Sequence, residues 1–182
     1  MSGTTVVTDS QMRYVDGAFS QKWFHPVPLT SLREDTSNDV PSGGGILATD
    51  TTPTLETVNG DTDSALRVLW ATGNVDGVFV NVPLPPWLAP NNPLYIKVYA
   101  VMSGAVDTPT LTAESFFDVG DTKVTDTATL SGTTAAVYTI TVAASDIPTT
   151  FPKVWNFELI PGTHGTDTVT IYSIWVEGTL LP

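Results

Sequence analysis

The chain has 182 residues, no cysteine, seven basic and nineteen acidic side chains, and a formal net charge of −12. That length gives one domain with a core of its own. The missing cysteines exclude disulfides, zinc-thiolate and iron–sulfur sites and thiol catalysis, and four Lys with three Arg cannot neutralise a phosphate backbone, which excludes nucleic acid as a partner. The opening Met-Ser-Gly-Thr-Thr-Val-Val-Thr-Asp lacks the basic-then-apolar order of a signal peptide. No apolar run approaches the roughly 20 residues of a membrane-spanning helix, so no membrane partner is expected. Abundant Thr, Val and aromatic residues with 14 Gly and 14 Pro make a β-protein composition.

In chain order, residues 1–42 are expected as an extended N-terminal arm and residues 43–182 as the folded body. The arm offers a short strand around Met12 to Val15. Pro26 and Pro28 withdraw backbone donors and push their predecessors to extended geometry, so Phe24 to Pro28 is expected to be extended and irregular. Tyr14, Phe19, Trp23 and Phe24 are costly to leave in water, so the arm is expected to dock on its own body or on a neighbour. Gly43, Gly44 and Gly45 form a hinge or tight turn, without the spacing of a phosphate cradle.

Strand-like runs follow at 54–58, 64–71, 78–82, 94–102, 111–119, 137–142, 154–160 and 169–176. Val78, Val80 and Val82 alternate with Phe79 and Asn81; Ile96, Val98, Ala100 and Met102 point inward, Tyr95, Lys97 and Tyr99 outward. The prolines of 83–90 interrupt the pattern, and Ala143 to Ile147 hints at a helical turn. Eight or nine strands without helical period give an all-β fold, a jelly-roll-like antiparallel β-sandwich, with connections at 83–93 and 120–134 crossing between sheets. In the last strand, strict alternation puts Val169, Ile171, Ser173 and Trp175 on one face and Thr170, Tyr172, Ile174 and Val176 on the other. Both faces are apolar, so something is expected to cover each.

The candidate chemistries fail one by one. His25 and His164 are isolated, where a metal site wants imidazoles at defined spacing. Asp61 and Asp63 sit in a turn without the full calcium-loop pattern. Glu114, Asp118 and Asp121 could serve a glycosidase, but nothing in their spacing sets the required separation, and a solvated face explains them. No GxSxG elbow is present. No enzyme, cofactor, catalytic residue or metal ligand is therefore expected. The outward aromatics Tyr95, Tyr99, Phe79, Phe116, Trp87 and Trp23 admit three readings: stacking on sugars, contact with another protein, or cover by the chain's own arm.

Leu32-Arg33-Glu34, Ser37-Asn38-Asp39, Gly44-Gly45 and Leu47 to Pro53, with Ser115-Phe116-Phe117, Gly120 to Lys123 and Trp175-Val176-Glu177, resemble small virion proteins of tailed bacteriophages. The resemblance implies a non-enzymatic jelly-roll decoration, or cement, protein. Such a protein is made in the host cytoplasm and placed on the outer capsid surface of the virion as a homotrimer, with itself and the phage major capsid protein as partners. Tyr14, Phe19, Trp23, Phe24, Trp87, Tyr95, Tyr99 and Tyr172 are then the expected inter-subunit or capsid contacts. The alternative is a tail- or fibre-associated β-sandwich module that binds host-surface glycans through Trp87, Tyr95 and Tyr99.

Overall fold

Residue patterns of period two run through almost every ordered segment, and they resolve into two sheets. The computed structural model describes residues 12–15, 18–35, 47, 53–59, 64–89, 91–118, 121–150 and 154–181. The Gly43 to Gly45 hinge and the Asp61/Asp63 turn lie outside the described residues. The larger sheet holds β1 (Met12–Val15), β2 (Ala18–Val27), β4 (Thr54–Asn59), β5 (Ser64–Trp70), β7 (Leu94–Met102), β10 (Ala136–Val142) and β12 (Val169–Leu180). The smaller holds β3 (Arg33–Asp35), β6 (Gly77–Pro83), β8 (Thr110–Phe116), β9 (Val124–Thr129) and β11 (Val154–Pro161), in the order β3-β6-β11-β8-β9. All pairings are antiparallel. Two 3-10 turns, Leu29–Ser31 and Ala144–Asp146, are the helical pieces among the described residues. The chain is a jelly-roll-like antiparallel β-sandwich.

The sheets face each other through alternate side chains. Val68, Trp70, Leu94, Ile96, Val98, Ala100 and Met102 from one meet Val78, Val80, Val82, Leu111, Trp155, Phe157 and Leu159 from the other, all buried. The two indoles that reach the core keep a partner for their N–H, as buried indoles require. Trp70 Nε1 donates to the Asp76 carbonyl at 2.8 Å, and Trp155 Nε1 donates to Ser115 Oγ at 3.0 Å.

β12 organises the larger sheet. One of its edges pairs with β7 along residues 169–177. The other is shared, with β5 taking Val169 to Ile171 and β2 taking Ile174 to Leu180.

Two expectations change here. The described part of the supposed arm is not outside the sandwich: β2 is a full strand against β12, and β3 an edge strand of the smaller sheet. The prolines misled because a central strand rejects them. Among the described residues β1 reaches β2 at residues 18–21 and β12 is the one strand beside Pro26, so a missing donor is tolerated on that edge. The stretch 120–134, expected as a plain crossing, contains β9. Its inward side chains are Val124, Asp126 and Ala128 and its outward ones are threonines, so no apolar run announced it.

Candidate functional site

Strict alternation cannot give β12 both of its burial patterns. Ile171 and Ile174 are three apart, yet both are buried in the core, along with Val176. The register against β7 shifts between Ile171 and Ser173, which marks a β-bulge at Tyr172. A bulge places one extra residue on a face, so Tyr172, Ser173, Trp175 and Glu177 all lie on the outer side while the isoleucines stay inside. The doubly apolar strand is thereby explained: one apolar set fills the core, and the other is an aromatic surface.

Register builds that surface across four strands. Glu177 lies between Phe24 of β2 and Tyr95 of β7, and Trp175 between Pro26 and Lys97. Ser173 stands opposite Tyr99, which in turn faces Val137 of β10. Lys97 faces Thr139 and Tyr95 faces Thr141. Phe24 is 59% exposed, Val137 51% and Tyr99 38%, a large apolar outlay for a strand face turned to solvent.

The rings come in tilted pairs. Phe24 and Trp175 have centroids 6.4 Å apart at 38°, and Tyr99 and Tyr172 are 5.9 Å apart at 46°. Polar groups sit between them. Trp175 Nε1 donates to Glu177 Oε1 at 2.9 Å, and Lys97 Nζ donates to Thr139 Oγ1 at 2.9 Å while lying 5.4 Å from the Tyr95 ring centroid. Flat apolar ring faces beside hydroxyls, a carboxylate and an ammonium suit a ligand whose own faces are apolar and whose rim is polar.

Of the eight expected contact residues, the structure brings Phe24, Tyr95, Tyr99 and Tyr172 together on this face. Trp23 points the other way, half-buried against the core, stacked with His25 at 6.0 Å and close to Gly178. Trp87 is exposed by 56% and sits in the 83–93 crossing beside the end of β12, its carbonyl accepting from the Leu181 amide at 2.7 Å. Tyr14 and Phe19 pair through their backbones, and their side chains lie outside the described residues. Trp175, Lys97 and Glu177 were missed as site residues. The clue in the sequence was the unequal spacing of Ile171, Ile174 and Val176, which only an inserted residue reconciles with one buried face.

Of the three acidic residues that a glycosidase reading would use, Glu114 stands on the outer side of β8, and Asp118 and Asp121 lie in the connection beyond it. Glu114 Oε1 accepts from Lys123 Nζ at 2.6 Å, and Asp121 closes a turn by donating its amide to the Asp118 carbonyl. No group of three metal-binding side chains occurs among the described residues.

No protein-family model matches the chain, and no curated protein does. Solved structures similar to it are carbohydrate-binding modules. One is the CBM36-1 domain of a multidomain xylanase from the hindgut metagenome of Trinervitermes trinervoides, at 14% identity, covering 87% of this chain and 97% of that one, with a TM-score of 0.45. Another is a CBM35 from Cellvibrio japonicus, at 14% identity, 86% and 92% coverage and a TM-score of 0.44. A third is the second N-terminal cellulose-binding domain of Cellulomonas fimi β-1,4-glucanase C, at 14% identity, 95% and 98% coverage and a TM-score of 0.47. With these TM-scores all below 0.5, the likeness assigns this chain no role. The capsid-cement expectation is corrected by the same finding, since the neighbours are carbohydrate-binding modules and none of those named is a virion protein. The homotrimer, the capsid-protein partner and the virion location were implied by that resemblance and find no support in these neighbours.

Proposed function

We propose that the chain is a non-catalytic glycan-binding module whose ligand lies on the outer face of the larger sheet, over Phe24, Trp175, Tyr95, Tyr99 and Tyr172. The observation that carries this reading is the bulge at Tyr172. It costs ladder regularity in the most central strand, and what it returns is Tyr172 and Trp175 on one face, where strict alternation would put them on opposite ones, beside the three rings of Phe24, Tyr95 and Tyr99. A pyranose presents a C–H face that stacks on such rings, and its equatorial hydroxyls reach the flanking polar groups, here Glu177, Thr139, Thr141 and Ser173. Protein partners also favour aromatic surface. The rows of threonine and serine between the rings, however, offer hydroxyl-to-hydroxyl bonding that suits a sugar rim.

The experiment is a glycan array followed by affinity electrophoresis with Trp175→Ala, Trp175→Phe and Trp87→Ala. Stacking on one indole is worth about 1–3 kcal/mol, so Trp175→Ala is expected to weaken binding about tenfold to a hundredfold. Trp175→Phe retains most of it, and Trp87→Ala leaves it unchanged. An array silent for the folded wild-type protein, or binding that survives Trp175→Ala and disappears with Trp87→Ala, removes this assignment.

A further inference from the structure

The same face also carries an electrostatic signature, and its reading rests on the glycan assignment above. Five Lys or Arg side chains are described: Lys22, Arg33, Arg67, Lys97 and Lys123. Arg67 is held by Glu56 across β4 and β5, and Lys123 by Glu114. Arg33 folds back on the carbonyls of Thr30 and Leu32, at 3.0 and 2.9 Å. The remaining two, Lys22 and Lys97, are paired with no carboxylate among the described residues, and both lie on the aromatic face. Lys22 is exposed at the β2 position opposite Thr179, on the same side as Phe24 and Pro26. Lys97 stands in the middle of the platform, between Trp175 and Thr139.

An ammonium has three donors, and Lys97 commits one to a neutral hydroxyl. Its position over the Tyr95 ring holds it above the sheet without neutralising it. The one carboxylate identified in the aromatic rows, Glu177, is turned to the Trp175 N–H. On a molecule with a formal net charge of −12, two cations without a carboxylate partner among the described residues lie at the place where sugar rings would rest.

We propose that the face selects an acidic glycan, with Lys97 donating to a uronate carboxylate on a chain whose ring faces rest on Trp175 and Tyr95, and Lys22 meeting a further carboxylate along the same chain. The rest of the molecule repels a polyanion. The preference therefore arises in short charge-assisted bonds at these two lysines and vanishes with them.

The test uses affinity electrophoresis of the full chain in gels containing polygalacturonate, alginate or glucuronoxylan, each beside its carboxyl-reduced form. At least one acidic polymer is expected to bind about tenfold more tightly than its reduced counterpart, the worth of one charge-assisted hydrogen bond. Lys97→Met, checked for an unchanged Tm, brings the two forms level. Lys22→Met narrows the gap, and Lys123→Met on the opposite sheet leaves it intact. Reduced polymers bound as well as acidic ones, or an acid preference indifferent to Lys97→Met, overturns the proposal. Neutral binding that still depends on Trp175 then leaves the glycan assignment standing. If neither half of the panel nor the array retains the protein, both fall together.

Discussion

Asp126 is a carboxylate on the wrong side of its strand. It shares the inward face of β9 with Val124 and Ala128, and its Oδ2 is buried without a hydrogen-bond partner among the described residues. Burial pushes its carboxyl above the ordinary aspartate range, and the negative charge of Asp146 pushes the same way. The sign follows from linkage. A carboxyl raised in the folded state binds its proton more tightly there than in the unfolded chain. Once ionised, above both values, it costs the fold a constant amount, and the cost disappears as pH falls below the ordinary value. Asp126→Asn keeps the shape and removes the charge, so at pH 7 it is expected to raise Tm, by no more than a few degrees because solvent screens the partly exposed carboxylate. The gain should shrink toward pH 4. Thermal melts of the two proteins across that range decide it, and a Tm lowered at pH 7 would show that the carboxylate has a role in the fold.

At the scale of the element, β12 shows what was legible and what was not. Period two was visible in β6 and β7, because both strands are regular and their inward residues are all aliphatic; the alternation of Val78, Val80 and Val82 and of Ile96, Val98 and Ala100 reads straight through to burial. β12 defeated the same rule by one residue. Alternation assigned Tyr172 and Trp175 to opposite faces, and the bulge puts them on the same one, so the platform was half seen: Tyr95 and Tyr99 from a regular strand, but not the indole at its centre. β2 was missed for another reason, since whether a proline is tolerated depends on the number of neighbours, which a local sequence does not reveal. The bulge can be tested by removing it. Deleting Ser173 removes the extra residue and leaves Ile171, Tyr172 and Ile174 in strict alternation, with both isoleucines still facing the core. That deletion should therefore keep cooperative unfolding, and Ser173→Ala should change Tm little, whereas Ile174→Ala costs about 2–5 kcal/mol for its lost buried side chain. A deletion mutant that no longer unfolds cooperatively would place the irregularity elsewhere.

For the whole molecule the question is what keeps two sheets closed at the end where the chain crosses between them. The connection from β7 to β8 and the one from β11 to β12 both pass from one sheet to the other, and two aspartates tie them reciprocally. Asp167 Oδ2 accepts from the amides of Val106 and Asp107 at 2.9 and 2.8 Å, and Asp107 Oδ2 accepts from those of Thr166 and Asp167 at 2.7 and 2.8 Å. Gly104 makes room for this, since a Cβ there would stand 2.0 Å from Asp167 Oδ1. The adjoining His164, fully buried, sets one ring nitrogen 2.7 Å from the Gly162 carbonyl and the other 3.1 Å from that of Ala71, fastening the same corner to the end of β5. The amides of Asp167 and Thr166 favour the ionised form of Asp107 and hold its carboxyl below the ordinary aspartate value; desolvation opposes them, and a lesser electrostatic effect of His164 adds to the lowering. Here the sign is the reverse of that at Asp126. A depressed carboxyl contributes stability that is complete above the unfolded value of about 3.9 and is lost as pH falls through that value toward the folded one. Acid should therefore open this corner, and Asp107→Asn, which accepts the same hydrogen bonds more weakly and without charge, should lower Tm at pH 7 and flatten its fall between about pH 5 and pH 2. Hydrogen exchange at the Thr166 and Asp167 amides reports the corner directly. Protection at those amides that is unchanged between pH 5 and pH 3, after correction for intrinsic rates, would show that the two crossings are held by packing alone. In that case the sheets, and the aromatic face on the larger of them, would owe nothing to the carboxylate clasp.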